Sequence, residues 1–249
     1  MNPEPFVLPM IIPPFKLSVI LLLGMLVLPV SLLAAPLRFL AWDDAVAARK
    51  IGLQNGTTVT ELQELHPNKR SGTAEAAGGE LPLQLVALDR VAPDGKPATV
   101  EIKMPAGVQT PLVLILPDSK QATGFRPFVI EDDATKFAWG TVRFVNATGK
   151  ELLVRLENAI KPLPAAWNPV DVVPGGEARN TGVQLVARED TKSILYSAIW
   201  EHDPQIRKLV FIVPGADVRT GAVDFKIIPE DRRALAPAAT PVVTPPPSE

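Results

Sequence analysis

His202 sits between two carboxylates in the run Trp200-Glu201-His202-Asp203-Pro204. An imidazole beside Glu and Asp is the material for a general base with its orienter, or for a metal ligand set. The spacing argues against both. Neighbouring side chains of an extended chain point to opposite faces, so Glu201 and His202 converge only if the backbone bends. A strand entering a solvated turn fits better, and His202 stays on the page as a candidate binding residue. His66, the other histidine, stands before Pro67 close to Lys69 and Arg70 and reads as a loop residue. Three acidic clusters, Asp43-Asp44, Glu131-Asp132-Asp133 and Glu230-Asp231, offer the hard oxygens that bind calcium. They lack the spacing of a helix–loop–helix calcium site, and a charged linker is the preferred reading. No metal site is assigned.

Composition removes most other chemistry. The 249 residues include no cysteine, which excludes disulfides, a thiol nucleophile, iron–sulfur clusters and thiolate zinc sites. None of the seven serines lies in a Gly-x-Ser-x-Gly elbow. No glycine loop for phosphate and no dinucleotide fingerprint is present, so no cofactor is expected. A net charge of −2, from 25 basic and 27 acidic residues, gives no electrostatic case for nucleic acid. No catalytic residues are assigned, and the chain reads as a non-enzyme. Among four tryptophans, Trp200 reads as core and Trp139 as packing at a junction. Trp167, in the proline-flanked run Pro164-Ala165-Ala166-Trp167-Asn168-Pro169, is the best candidate contact residue, for a sugar or a partner, with a tucked-in loop anchor as the alternative. Asn55-Gly56-Thr57 and Asn146-Ala147-Thr148 match the glycosylation acceptor pattern, but Asn55-Gly56 has a simpler use as a tight turn.

The elements that would position these residues are strands. Residues 151–157 (ELLVRLE), 222–228 (AVDFKII) and 99–104 (TVEIKM) alternate apolar and polar with period two. The second of these puts Val223, Phe225 and Ile227 inward and Asp224 and Lys226 outward. Residues 112–116 (LVLIL) and 209–213 (LVFIV) are apolar throughout and stop at Pro117 and Pro214, as expected of strands buried on both faces. Only residues 43–50 and 60–65 have a helical option, and both are short.

The chain also repeats itself. Gln84-Leu85-Val86-Ala87 recurs as Gln184-Leu185-Val186-Ala187, 100 residues on. Residues 112–130 align without gaps on 209–227, with eight of nineteen positions identical. Leu37-Arg38-Phe39-Leu40 matches Val142-Arg143-Phe144-Val145, 105 residues on. Three anchors in one order point to a duplication. The expected fold is all-β: two tandem immunoglobulin-like β-sandwich copies, 36–133 and 134–232, of about seven strands each. Two separate sandwiches and one strand-swapped pair of sheets both fit.

Ahead of the copies, residues 17–35 (LSVILLLGMLVLPVSLLAA) carry no charge and follow Lys16, the layout of an export signal. Cleavage near Ala34 or Ala35 and retention as a membrane anchor are both open, so residues 1–35 are a signal peptide or an anchor helix. Residues 233–249 are proline-rich and read as a disordered tail. The apolar stretch, the run Val142-Arg143-Phe144-Val145-Asn146-Ala147-Thr148-Gly149 and the closing segments from Trp200 to Asp231 resemble a family of exported bacterial proteins with tandem β-sandwich repeats. The resemblance covers mainly the second copy. It implies location and fold, and supplies no activity. The expectation is an exported, non-catalytic envelope protein with a binding, assembly or structural role and a protein partner there. It would touch the membrane only through 17–35. A carbohydrate-binding module, or a hydrolase using Glu201 and Asp203, is the alternative.

Overall fold

The computed structural model describes residues 36–75, 82–217 and 221–235. The stretch expected to direct export, and the residues beyond 235, lie outside the described residues. Sixteen strands and two short helices make up the described chain. The first eight strands are β1 (Pro36–Ala41), β2 (Ile51–Asn55), β3 (Thr58–Glu61), β4 (Ala74–Glu75), β5 (Gln84–Val91), β6 (Pro97–Glu101), β7 (Pro111–Pro117) and β8 (Phe125–Glu131). They form two sheets, in the orders β3-β2-β5-β6 and β4-β1-β7-β8. The last eight are β9 (Val142–Asn146), β10 (Leu152–Leu156), β11 (Ala159–Leu163), β12 (Val170–Val172), β13 (Arg179–Ala187), β14 (Ile194–His202), β15 (Ile206–Pro214) and β16 (Val223–Asp231). Their sheets run β11-β10-β13-β14 and β12-β9-β15-β16. Strand for strand, the second half repeats the first, down to the parallel pairing of β1 with β7 and of β9 with β15.

The all-β, tandem-sandwich expectation holds, with eight strands a half rather than about seven. The likeness to an immunoglobulin domain is one of architecture, two sheets packed face to face. All pairings stay within a half among the described residues, so no strand is swapped. Residues 60–65 are not helical: they end β3 and turn away from it. Asp43 caps α1 (Asp44–Ala47), its carboxylate accepting the Val46 N–H at 2.8 Å. Residues 233–235, expected in the tail, belong to α2 (Arg232–Leu235).

The apolar runs explain how the halves stack. Along β7, Val113 and Ile115 face the first sandwich core, and Leu112, Leu114 and Leu116 face the other way. Along β15, Val210 and Ile212 face the second core, while Leu209 and Phe211 face back. The back-facing residues meet one another and Leu40, Ile130, Phe137, Val145 and Ile228 in a third core between the two inner sheets. The result is four sheet layers with three apolar cores. This third core also corrects the reading of β16. Ile227 is 38% exposed, while Ile228 is fully buried in the third core. Lys226 does not face water: its ammonium lies 5.8 Å from the Trp42 ring centroid and donates to the Pro67 carbonyl. The face taken as outward is covered by the other half.

Gly56 makes the turn between β2 and β3 at φ 61°, a left-handed position suited to glycine. The equivalent turn between β10 and β11 has Glu157 there, at φ 53°, with its carboxylate held by the Arg179 guanidinium at 2.7 Å. Phe211→Ala empties the centre of the third core. It should cost about 3–5 kcal/mol, read as a lowered denaturant midpoint.

Candidate functional site

The two halves differ most usefully at the side of the sandwich between the hairpin and the short edge strand. In the second half this side is closed. Lys161 of β11 reaches across and donates to the Asp171 carbonyl of β12 at 2.9 Å. The Asn146 amide donates to the Leu163 carbonyl at 3.0 Å and ties down the end of β11. Leu163 and Val172 fill the space beneath, at 1% and 0% exposure. In the first half the equivalent positions, by register, carry Thr60, Thr73, Ala41, Leu62 and Ala74. Thr60 is too short to span the gap, Ala41 has no amide, and Ala74 is smaller than Val172. A cavity of about 710 Å³ opens there. That falls within the few hundred to about a thousand Å³ of small-ligand clefts.

The cavity has an apolar floor and a polar rim. Phe39, Leu53, Leu62 and Ala74 form the floor. Thr58, Thr60, Ser71 and Thr73 supply hydroxyls, and Asn55 and Gln63 supply amides. Ser71 is fixed to β1 from both sides: its N–H donates to the Phe39 carbonyl at 2.8 Å, and its hydroxyl accepts from the Phe39 N–H at 2.9 Å. Glu61 and Glu64 are the only charged groups in the lining among the described residues. Glu64 holds φ 55°, a conformation that costs a non-glycine residue of order 1 kcal/mol or more.

The sequence candidates lie elsewhere. His202 is not solvated: it is 5% exposed, and its Nε2 has no hydrogen-bond partner. Burial and the nearby Arg179 guanidinium hold its pKa below the ordinary value. Glu201 is exposed on the opposite face of β14, so the two side chains do not converge. Asp203 is engaged by the Gln205 N–H at 2.8 Å and by Arg233 at 2.9 Å. Trp167 is half-buried, its ring 5.3 Å from Phe128 and 6.0 Å from Trp42 against the third core. That is the tucked-in anchor, with φ at 60°. His66 accepts from the Asn68 N–H at 2.9 Å in its loop. The Asn146 side chain is buried and used in the clamp described above.

The acidic run at the junction meets arginines. Asp132, 1% exposed, takes a two-pronged bond from Arg70 at 2.8 and 2.9 Å and a further bond from Arg38. Glu230 is held by Arg207 at 2.6 Å and by Arg38, so the cluster joins the halves. Arg207 also donates to the Asp132 and Phe137 carbonyls at 2.9 and 3.1 Å. Phe137 lies between guanidiniums, 4.3 Å from Arg143 and 4.9 Å from Arg207. Glu131 accepts from the Gln109 and Thr110 N–H groups at 2.9 and 3.1 Å and from Lys136 at 2.7 Å. Sequence reasoning noted an arginine in each first strand but not what it meets. The groove could have been found by aligning the two hairpins, where Glu61 stands opposite Pro162.

No family model and no curated protein matches the sequence. Among solved structures, the chain is similar to a Bacteroides uniformis protein whose description proposes a role in cell adhesion. Identity is 9% and the TM-score 0.23, over 80% of this chain and 98% of that one.

Burial by itself would raise the Glu230 pKa above 4.5, but Arg70, Arg38 and Arg207 outweigh it and hold the pKa below that value. A depressed carboxylate pKa contributes stability that is present above the unfolded value and lost as pH falls through the folded one. Wild-type stability should therefore fall below about pH 4.5, and Glu230→Gln should show a flatter profile there by denaturant titration. Asp132→Ala leaves three guanidiniums facing one carboxylate and should cost about 3–5 kcal/mol at neutral pH.

Proposed function

We propose that the protein is an exported, non-catalytic binding module of the cell envelope, and that the open side of its first repeat is the binding site. The repeats are 36–133 and 134–232. Residues 1–35 are the export signal or anchor. The observation that supports a binding role is the 710 Å³ cavity, present in one repeat where the other closes the same side with its own side chains. Its lining of hydroxyls, amides and apolar floor suits recognition, and it holds no pairing of nucleophile with base among the described residues. The cavity is floored by the first of the three packed cores.

Two measurements test this. Intact mass with fractionation of the natively expressed chain should give either a protein short by 34 or 35 residues in the soluble envelope, or the full chain in the membrane fraction. Full-length chain in the cytoplasm would overturn export. A photo-cross-linking amino acid at Thr73 should yield a covalent adduct with an envelope component, and Ala74→Phe, which fills the cavity, should abolish it. Monomer alone under both conditions would overturn the binding role.

A further inference from the structure

The occupant of the groove can be read from β3, and this step rests on the binding role proposed above. Strand β3 is a free edge: it pairs with β2 and has no neighbour on its other side among the described residues. The Leu62 N–H donates to the Ile51 carbonyl at 2.8 Å, so Leu62, and by alternation Thr60 and Thr58, turn their backbone groups toward β2. Val59 and Glu61 then turn theirs to the open side. All four residues of β3 are exposed, Val59 at 45%.

Folded proteins blunt such edges, and proline is one of the devices. The second repeat uses it. Pro162 pairs with Leu153 in β11 as Glu61 pairs with Gly52 in β3, so a proline without N–H stands where the first repeat offers a donor. The same repeat adds the Lys161 clamp and a filled interior. The first repeat lacks all three: it has the donor, no clamp, and an apolar-floored cavity directly under the strand. The rim carries Glu61 and Glu64 and, among the described residues, no cation. A second copy of this chain pairing edge to edge at β3 would bring those carboxylates against their own kind.

We infer that β3 accepts an extended peptide segment of a partner protein as an added strand, with an apolar side chain in the cavity and a lysine or arginine against Glu61 and Glu64. Main-chain bonds to Val59 and Glu61 supply the register, and the pocket selects alternate side chains. A sugar fits less well, because the one aromatic ring in the lining among the described residues, Phe39, is 1% exposed and offers no stacking face.

The test uses the full chain and a labelled probe, acetyl-Thr-Val-Lys-Val-Thr-Ala-amide, with twins carrying Ala or Glu for Lys. Fluorescence polarisation should show saturable binding of the lysine peptide, about tenfold or more weaker for the glutamate twin. Hydrogen exchange should slow at the Val59 and Glu61 amides on binding and stay unchanged at Thr58 and Thr60. Glu61→Pro and Thr60→Lys copy residues the second repeat already tolerates at these positions. Both should keep the melting temperature and lose binding about tenfold or more. Equal binding of all three peptides, or undiminished binding by Glu61→Pro, would overturn strand addition. So would binding without protection of Val59 and Glu61. If none of the peptides binds while the Thr73 adduct forms and Ala74→Phe removes it, the strand inference fails and the groove's binding role survives. If that adduct also fails to form, both fall.

Discussion

The structure depends on the double-sided burial of β7 and β15. A strand whose side chains alternate between two faces needs two apolar surroundings if both sets are apolar. Leu112, Leu114 and Leu116, and across from them Leu209 and Phe211, have no place in either sandwich core. They can leave water only against each other. That requirement fixes which sheets are inner, brings β1 and β9 inward with them, and leaves the hairpins β2–β3 and β10–β11 on the outer sheets. The groove lies on the side of the first repeat because the inner faces are already taken.

Burying those faces also buries charge at their margin. Arg38, Arg70 and Arg207 share Asp132 and Glu230 at the seam, where water is largely excluded. Burial lowers the Arg207 pKa, and the carboxylates Asp132 and Glu230 work against that. Such clusters add less net stability than their bond count suggests, because desolvation consumes most of the attraction. Their geometry is demanding, however, and a shifted stacking of the two inner sheets would leave several charges unmatched. The cluster thus sets the register of one half on the other, and the apolar core supplies the stability.

Much of this was legible in the sequence. Period-two runs marked the strands, and the two all-apolar runs marked strands covered on both sides. The gapless match of 112–130 with 209–227 is the β7–β8 and β15–β16 hairpin seen twice. What covers the second face is not legible in the alternation, which points Lys226 at solvent although it caps Trp42. The seam cluster was equally hidden: Arg38 and Glu230 are 192 residues apart, and sequence carries no distance between them. His202 looked like a turn residue because Glu201 and Asp203 flank it, yet it is the inward member of the alternation. The groove was the least visible, since it arises from residues that fail to reach across a gap and has no motif of its own.

Duplication ordinarily doubles whatever a module can hold. Here Pro162 and Lys161 withhold the second berth. If β3 takes a strand as inferred above, the chain has a valency of one at this edge, despite carrying the fold twice. On the proposed binding role, a second site for the same segment has to come from a second chain rather than from the second repeat. The second repeat is then free to act as a brace, holding the first by its back while its open side stays accessible.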